Sequence, residues 1–133
     1  MNFIDLLFGH LVGDYLLQNK WMAMNKNANN LKAIVHCLIY TVSIALFTSW
    51  NIYWLLWVFS THFLIDRFSL ADKWLNLING RSLSDFLNRG SVEYGAGSNS
   101  HVLRGGFTAL VYAVVDNTMH LLLMYYGYLY IGF

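Results

Sequence analysis

The sequence has little charge, no proline and a single cysteine. Charged residues make up 11% of the 133 residues, whereas hydrophobic residues make up 57% and aromatic residues 17%. That is more apolar surface than a small soluble domain could cover. The one cysteine, Cys37, excludes an internal disulfide, and a formal net charge of +1 gives no reason to expect a nucleic acid partner. The composition therefore indicates an integral membrane protein.

Signatures of soluble nucleotide and acyl chemistry are missing as well. The sequence contains no P-loop, no dinucleotide-binding fingerprint and no nucleophile elbow. The first segment lacks the basic start and the small-residue cleavage site of a signal peptide, so we expect it to be retained.

Four apolar segments approach the roughly 20 residues that a bilayer requires. Their expected bounds are 1–17, 31–50, 52–71 and 107–133. The runs are continuous rather than alternating, which favours helices over strands. The sequence thus predicts an all-α fold: a four-helix transmembrane bundle that forms a single domain over 1–133, with a large loop at 72–106.

All eight basic residues lie around two of the three connections. They are Lys20, Lys26 and Lys32 around the first connection, and Arg67, Lys73, Arg81, Arg89 and Arg104 around the third. Because cytoplasmic loops carry an excess of lysine and arginine, both of these connections are predicted to be cytoplasmic and both termini outside. Tryptophan and tyrosine near the second connection and near the C-terminus fit an outer aromatic belt.

Histidine and aspartate recur at a spacing of four residues inside the apolar segments. The pairs are His10 with Asp14, His62 with Asp66, and Asp116 with His120. Four residues make about one helical turn, so the members of each pair share a helix face. Ionisable groups in such segments are costly unless they meet one another or an ion, which makes them candidates for a functional site.

These pairs and His36 lie at compatible depths toward the cytoplasmic side of the predicted bundle, so they can meet in one layer. The predicted metal ligands are His10, Asp14, His36, His62, Asp66, Asp116 and His120. Imidazole and carboxylate groups suit one or two divalent transition metal ions, with zinc first and manganese or iron as alternatives. The glycines at 9 and 13 would let a neighbouring helix approach closely, and Gln18, Asn19 and Asn117 are candidates to orient the ligands.

Three functions are compatible with this pattern. The first is a metal-dependent hydrolase of a lipid-linked phosphate or headgroup at the cytoplasmic leaflet. There Asp66 and Asp116 would be catalytic, a spare aspartate would act as base, and the glycine-rich stretch 90–106 would close over the site. The second is transport of a divalent cation or of protons, and the third is a non-catalytic membrane interaction protein in which the histidines and aspartates only stabilise the fold. Lipid is the expected partner, and a homo-oligomer is compatible with the apolar surface.

Several motifs also resemble a known family. The opening, His10-Leu-Val-Gly-Asp14-Tyr-Leu-Leu-Gln18, and the block Ser60-Thr-His62-Phe-Leu-Ile-Asp66 look like a family of small bacterial and phage membrane proteins of unknown function. The resemblance covers nearly the whole chain and leads us to expect glutamine where Asn117 stands. It implies a multi-pass protein of the bacterial inner membrane. The same pattern is more distantly similar to families of membrane-bound metal-dependent hydrolases, which raises the expectation of a metal.

Overall fold

The computed structural model describes residues 2–23, 29–84 and 99–131, with side chains from residue 105 onward in the last range. Within these ranges the regular secondary structure is entirely helical, as the sequence predicts. The helices are α1 (Phe3–Leu11), α2 (Lys20–Ala23), α3 (Asn30–Phe47), α4 (Ile52–Arg67), α5 (Leu70–Asn79) and α6 (Asn99–Ile131). A π-helical turn over Val12–Leu16 directly follows α1.

Two segments of the described chain are long and apolar enough to cross a membrane, whereas the sequence predicts four. They are Asn30–Phe47 and Gly105–Ile131. The first predicted span contains only nine α-helical residues before the π-turn. The third ends at Arg67 after 16 residues. Both therefore fall short of the roughly 20 residues of a straight span.

The predicted loop at 72–106 contains helix at both ends. Most of α5 lies in its first part, and α6 begins at Asn99. The chain leaves α4 through Ser69, whose φ of 49° is left-handed, and α5 ends at Gly80, whose φ is 60°. Part of the predicted glycine-rich stretch is helical because glycine costs only about 1 kcal/mol in a helix, which a long helix can absorb. Residues 85–98 lie outside the described ranges.

Asparagine side chains set where the two central helices begin. Asn29 Oδ1 accepts hydrogen bonds from the backbone N–H groups of Leu31 and Lys32 at the start of α3. Asn51 Oδ1 accepts from the N–H groups of Tyr53 and Trp54 at the start of α4. Such caps satisfy backbone donors that the first helical turn leaves unpaired. The caps thereby fix the register of the histidines on α3 and α4.

The chain divides into two compact units, Met1–Phe68 with Met119–Phe133, and Ser69–Thr118. The core of the first unit consists of Leu6, Tyr40, Ile44, Trp54, Val58 and Met124. In the second unit, the Asp72 carboxylate accepts hydrogen bonds from Ser82 Oγ, Leu83 N and Ser84 Oγ. These bonds fold the chain after α5 back onto that helix.

Glycines let the N-terminal segment approach α3 closely, as their spacing predicts. A Cβ added to Gly9 would lie 3.2 Å from Ile44 Cα, and one added to Gly13 would lie 2.7 Å from Tyr40 Cδ2 and 3.3 Å from Tyr40 Cα. Ser43 Oγ also donates a 3.0 Å hydrogen bond to the Gly9 carbonyl oxygen. Larger residues at 9 and 13 would therefore push these two elements apart.

We expect the substitution Gly13→Ala to lower the free energy of unfolding by about 1–3 kcal/mol, because the new methyl group overpacks a filled interface. The matched control is Gly106→Ala on α6, where an added Cβ meets no atom of the described residues within 4 Å. That change should be neutral or slightly stabilising. Thermal or denaturant unfolding in detergent measures both variants, and equal effects would contradict the close packing at Gly13.

Candidate metal centre

Histidine rings and carboxylates converge in the interior of the first unit. They come from α1, the π-turn, α3, α4 and α6, and they are His10, Asp14, His36, His62, Asp66 and His120. All of these except Asp14 are buried, and the Asp14 side chain is 11% exposed. Six of the seven residues predicted from the sequence therefore occupy one cluster.

Four atoms of this cluster lie close to one another, and three of them, from His36, His62 and Asp66, belong to a group that could hold a metal ion. They are Nε2 of His36, Nε2 of His62, Oδ1 of Asp14 and Oδ2 of Asp66. The two nitrogens lie 2.9 Å apart. Asp14 Oδ1 lies 3.2 Å from the His36 nitrogen and 3.4 Å from the His62 nitrogen, and Asp66 Oδ2 lies 3.2 Å and 3.3 Å from the same two atoms. Ligands bound tetrahedrally at about 2.0–2.1 Å lie about 3.3 Å from one another, so these five separations suit one small ion.

Hydrogen bonds alone account poorly for this arrangement. A neutral imidazole has one N–H donor, yet each of the two Nε2 atoms faces three nitrogen or oxygen atoms within 3.4 Å. Within the described residues, buried Asp14 Oδ1 has no hydrogen bond of acceptable geometry. Because buried charges require a partner or a metal, an ion held by His36, His62 and Asp66 would also offer Asp14 Oδ1 a partner.

His120 contacts two of these residues through its two ring nitrogens. Its Nδ1 lies 3.1 Å from Nδ1 of His62, which is the nitrogen that faces away from the four-atom set. Its Nε2 lies 3.7 Å from Asp66 Oδ1. Partners of this kind fix the orientation of metal-binding rings. Asp14, His62 and His120 also offer one atom each within 4.8 Å of one another, so the cluster could hold a second ion that shares residues with the first.

Tyr40 joins the cluster although the sequence did not single it out. Its ring stacks on His62 with a centroid distance of 3.6 Å and an interplanar angle of 15°. Its hydroxyl lies 2.8 Å from His10 Nδ1 and donates to Met124 Sδ at 3.3 Å. His10 Nδ1 is in turn 3.4 Å from Asp14 Oδ2. Tyr40 follows His36 by four residues. The same spacing identified the pairs of histidine and aspartate, so it could have identified Tyr40 as well.

Gln18 and Asn19, which the sequence predicts to orient the metal ligands, make different contacts. Gln18 Nε2 lies 3.5 Å from His36 Nε2, at the limit of a hydrogen bond. Asn19 instead caps α2, where its Oδ1 accepts from the backbone N–H of Met22. The structure thus places Gln18, and not Asn19, against a residue of the cluster.

Asp116 and Asn117 lie on the part of α6 that belongs to the unit Ser69–Thr118. Asp116 is partly buried and precedes His120 by about one helical turn. The Asn117 side chain donates a 2.5 Å hydrogen bond to the Ala113 carbonyl of its own helix. A role for Asp116 as a ligand or catalytic residue stays a prediction.

The fold and the cluster together define an all-helical protein with buried histidines and aspartates that could hold a metal ion. A family model described as "Protein of unknown function (DUF3307)" matches residues 2–131, so the chain belongs to that family. This confirms the expected membership in a family of unknown function. Searches of the curated proteins and of the solved structures gave no significant match.

Proposed function

We propose that this protein is an integral membrane, metal-dependent hydrolase that acts on a lipid-linked phosphate or headgroup at the cytoplasmic leaflet. The observation that carries the proposal is the buried four-atom set of His36, His62, Asp14 and Asp66, whose spacing suits a tetrahedral ion. A bound zinc ion would supply Lewis acidity and make water a nucleophile near neutral pH. Manganese or iron would fit the same donor types.

Hydrolysis requires that one position at the ion become available to water or substrate. Asp14 is the best candidate to release it, because its side chain is the only partly exposed one of the four. It also lies on the π-turn, an irregular backbone element that occurs often at functional sites. After displacement, the Asp14 carboxylate would remain paired through its Oδ2 atom, which lies 3.4 Å from His10 Nδ1. The base that the reaction requires would be a spare carboxylate oxygen: Oδ1 of Asp66, which lies outside the four-atom set, or Asp116, as the sequence predicts.

The proposed topology retains four membrane crossings with both termini outside, in a bacterial inner membrane. The exposed residues of α4 support this, since Ile52, Tyr53, Leu56 and Leu64 present large apolar or aromatic surfaces that lipid would cover. Exposed Ile4 and Phe8 do the same on α1. Spans shorter than the hydrocarbon layer are accommodated by local thinning of the bilayer at modest cost.

A structural metal site is the second candidate, and one observation favours it. Four protein ligands fill the shell of a tetrahedral ion, and closed sites of this type are structural rather than catalytic. His36, His62 and Asp66 are also buried. In this case the ion would join α3, α4 and the N-terminal segment of a non-catalytic membrane protein.

Release of phosphate or headgroup from a panel of lipid phosphate esters, measured with metal-loaded protein in detergent, distinguishes the two candidates. For the hydrolase we expect turnover, expressed per bound metal ion because Asp66 is also a proposed ligand, to fall at least about a hundredfold in Asp66→Asn, since positioned acid–base groups contribute about 10²–10⁴. Asp5→Asn is the matched control, because Asp5 accepts a hydrogen bond from Asn2 N at the start of α1. A metal-loaded protein that holds no exchangeable water and turns over none of the esters would instead establish the structural candidate.

A further inference from the structure

Helix α5 carries an exposed apolar stripe that the described residues of its own unit leave uncovered. Leu70, Trp74, Leu77 and Ile78 follow helical spacing, and the last three are 51%, 77% and 60% exposed. The buried residues of α5 are Ala71 and Leu75, on the adjoining part of the helix surface. A contiguous exposed apolar stripe on a short helix marks a candidate interaction surface.

The polar residues of α5 restrict what that partner is. The Asp72 carboxylate is held by Ser82 Oγ, Leu83 N and Ser84 Oγ, so its charge is matched by donors within the unit. Lys73 on the helix and Arg81 just after it are exposed. An apolar stripe flanked by basic residues is typical of helices that lie in the surface of an anionic membrane.

A contact of Arg81 joins the end of α5 to the start of the candidate span on α6. The Arg81 guanidinium carbon lies 5.0 Å from the centroid of the Phe107 ring, and Phe107 is the third residue of the candidate span Gly105–Ile131. If the bilayer begins at the start of this candidate span, as the proposed crossing by α6 requires, Arg81 would be level with the lipid headgroups. Trp74 on the stripe is of the residue type that concentrates at this depth.

We infer that α5 lies in the plane of the membrane surface, with its Trp74, Leu77 and Ile78 stripe inserted below anionic lipid headgroups and Lys73 and Arg81 among them. The inference depends on the membrane crossing by α6 in the proposed function, but on neither the metal nor the hydrolase. It assigns a lipid-binding surface to a segment that the sequence predicts to lie in a loop.

Spin labels on single introduced cysteines test this surface in nanodiscs that contain anionic phosphatidylglycerol. The native Cys37 is fully buried, so exposed introduced thiols react selectively. Ile78→Cys lies on the stripe, and Asn76→Cys, two residues away, lies on the opposite side of the helix. We expect the label at 78 to collide more often with oxygen, which partitions into lipid, than the label at 76 does. The label at 76 should collide more often with a water-soluble nickel complex than the label at 78 does.

A third label, at Leu122→Cys within the candidate span, distinguishes failure of the surface assignment for α5 from failure of the membrane crossing by α6. Lipid exposure at 122 combined with water exposure at both 76 and 78 would overturn the surface assignment while the membrane crossing stands. Water exposure at 122 would overturn the crossing and the surface together.

Charge reversal by Lys73→Glu with Arg81→Glu should move the label at 78 toward water in anionic discs, and no change would contradict the role of the basic pair.

Discussion

Replacement of His62 by alanine is expected to remove the metal ion from the purified protein. His62 Nε2 lies within 3.4 Å of the other three members of the four-atom set. The ligands of a buried zinc site together contribute about 10–16 kcal/mol, so loss of one of four should cost roughly 3 kcal/mol and weaken binding by about a hundredfold or more. Elemental analysis of metal per chain, after dialysis at a defined free metal concentration, measures this loss.

The fifth histidine of the chain supplies the control for that experiment. His101 lies in the stretch 90–106 and is the one histidine outside the predicted ligand set, so His101→Ala should retain the metal. Because His62→Ala also removes a ring that stacks on Tyr40, circular dichroism must show that the variant remains helical. His36→Ala removes a second nitrogen of the set and should give the same loss. A folded variant at either position that keeps full metal would refute the proposed ligands.

Chelation of the metal is expected to destabilise the wild-type protein markedly. A ligand that binds only the folded state stabilises it by about 4 kcal/mol when its free concentration is a thousand times its Kd. Without an ion, two carboxylates lie within 3.4 Å of two imidazoles in a buried space, where charge is costly. Thermal unfolding in detergent, with and without chelator, measures the difference.

The dependence on metal should disappear when the site is broken. His62→Ala should melt at the same temperature with and without chelator, near or below the apo wild type. If the wild type itself shows no dependence on metal over a wide range of free concentration, the buried cluster is a hydrogen-bonded network and not a metal site.

The site was predictable from the sequence to a large extent because its residues follow the helical repeat. A spacing of four residues places His10 near Asp14 and His62 near Asp66 regardless of tertiary structure, and the structure brings both pairs together with His36. Because buried ionisable groups need partners, the pairs and His36 were expected to meet in one layer. The pairing of atoms could not be predicted, since it depends on side-chain rotamers and on the π-turn that contains Asp14.

The sequence did not predict the role of Tyr40, the start of α6 or the break after α4, because these features depend on tertiary packing and not on local composition alone. Tyr40 follows His36 at the spacing of the other pairs, but its stacking on His62 and its close approach to Gly13 depend on the packing of three elements. The glycines and serines of 90–106 indicate a loop, yet α6 already begins at Asn99. The four predicted spans rest on hydropathy, which does not detect the left-handed Ser69 that separates α4 from α5.

X-ray absorption spectroscopy of the metal-loaded protein tests the central claim, a buried ion held by His36, His62, Asp14 and Asp66, most directly. The geometry predicts about four nitrogen or oxygen donors at about 2.0–2.1 Å, with the outer-shell scattering of two imidazoles, and the loss of that signal in His62→Ala. A spectrum with six oxygen donors and no imidazole scattering, unchanged in His62→Ala, would show that the metal binds elsewhere and would contradict the account.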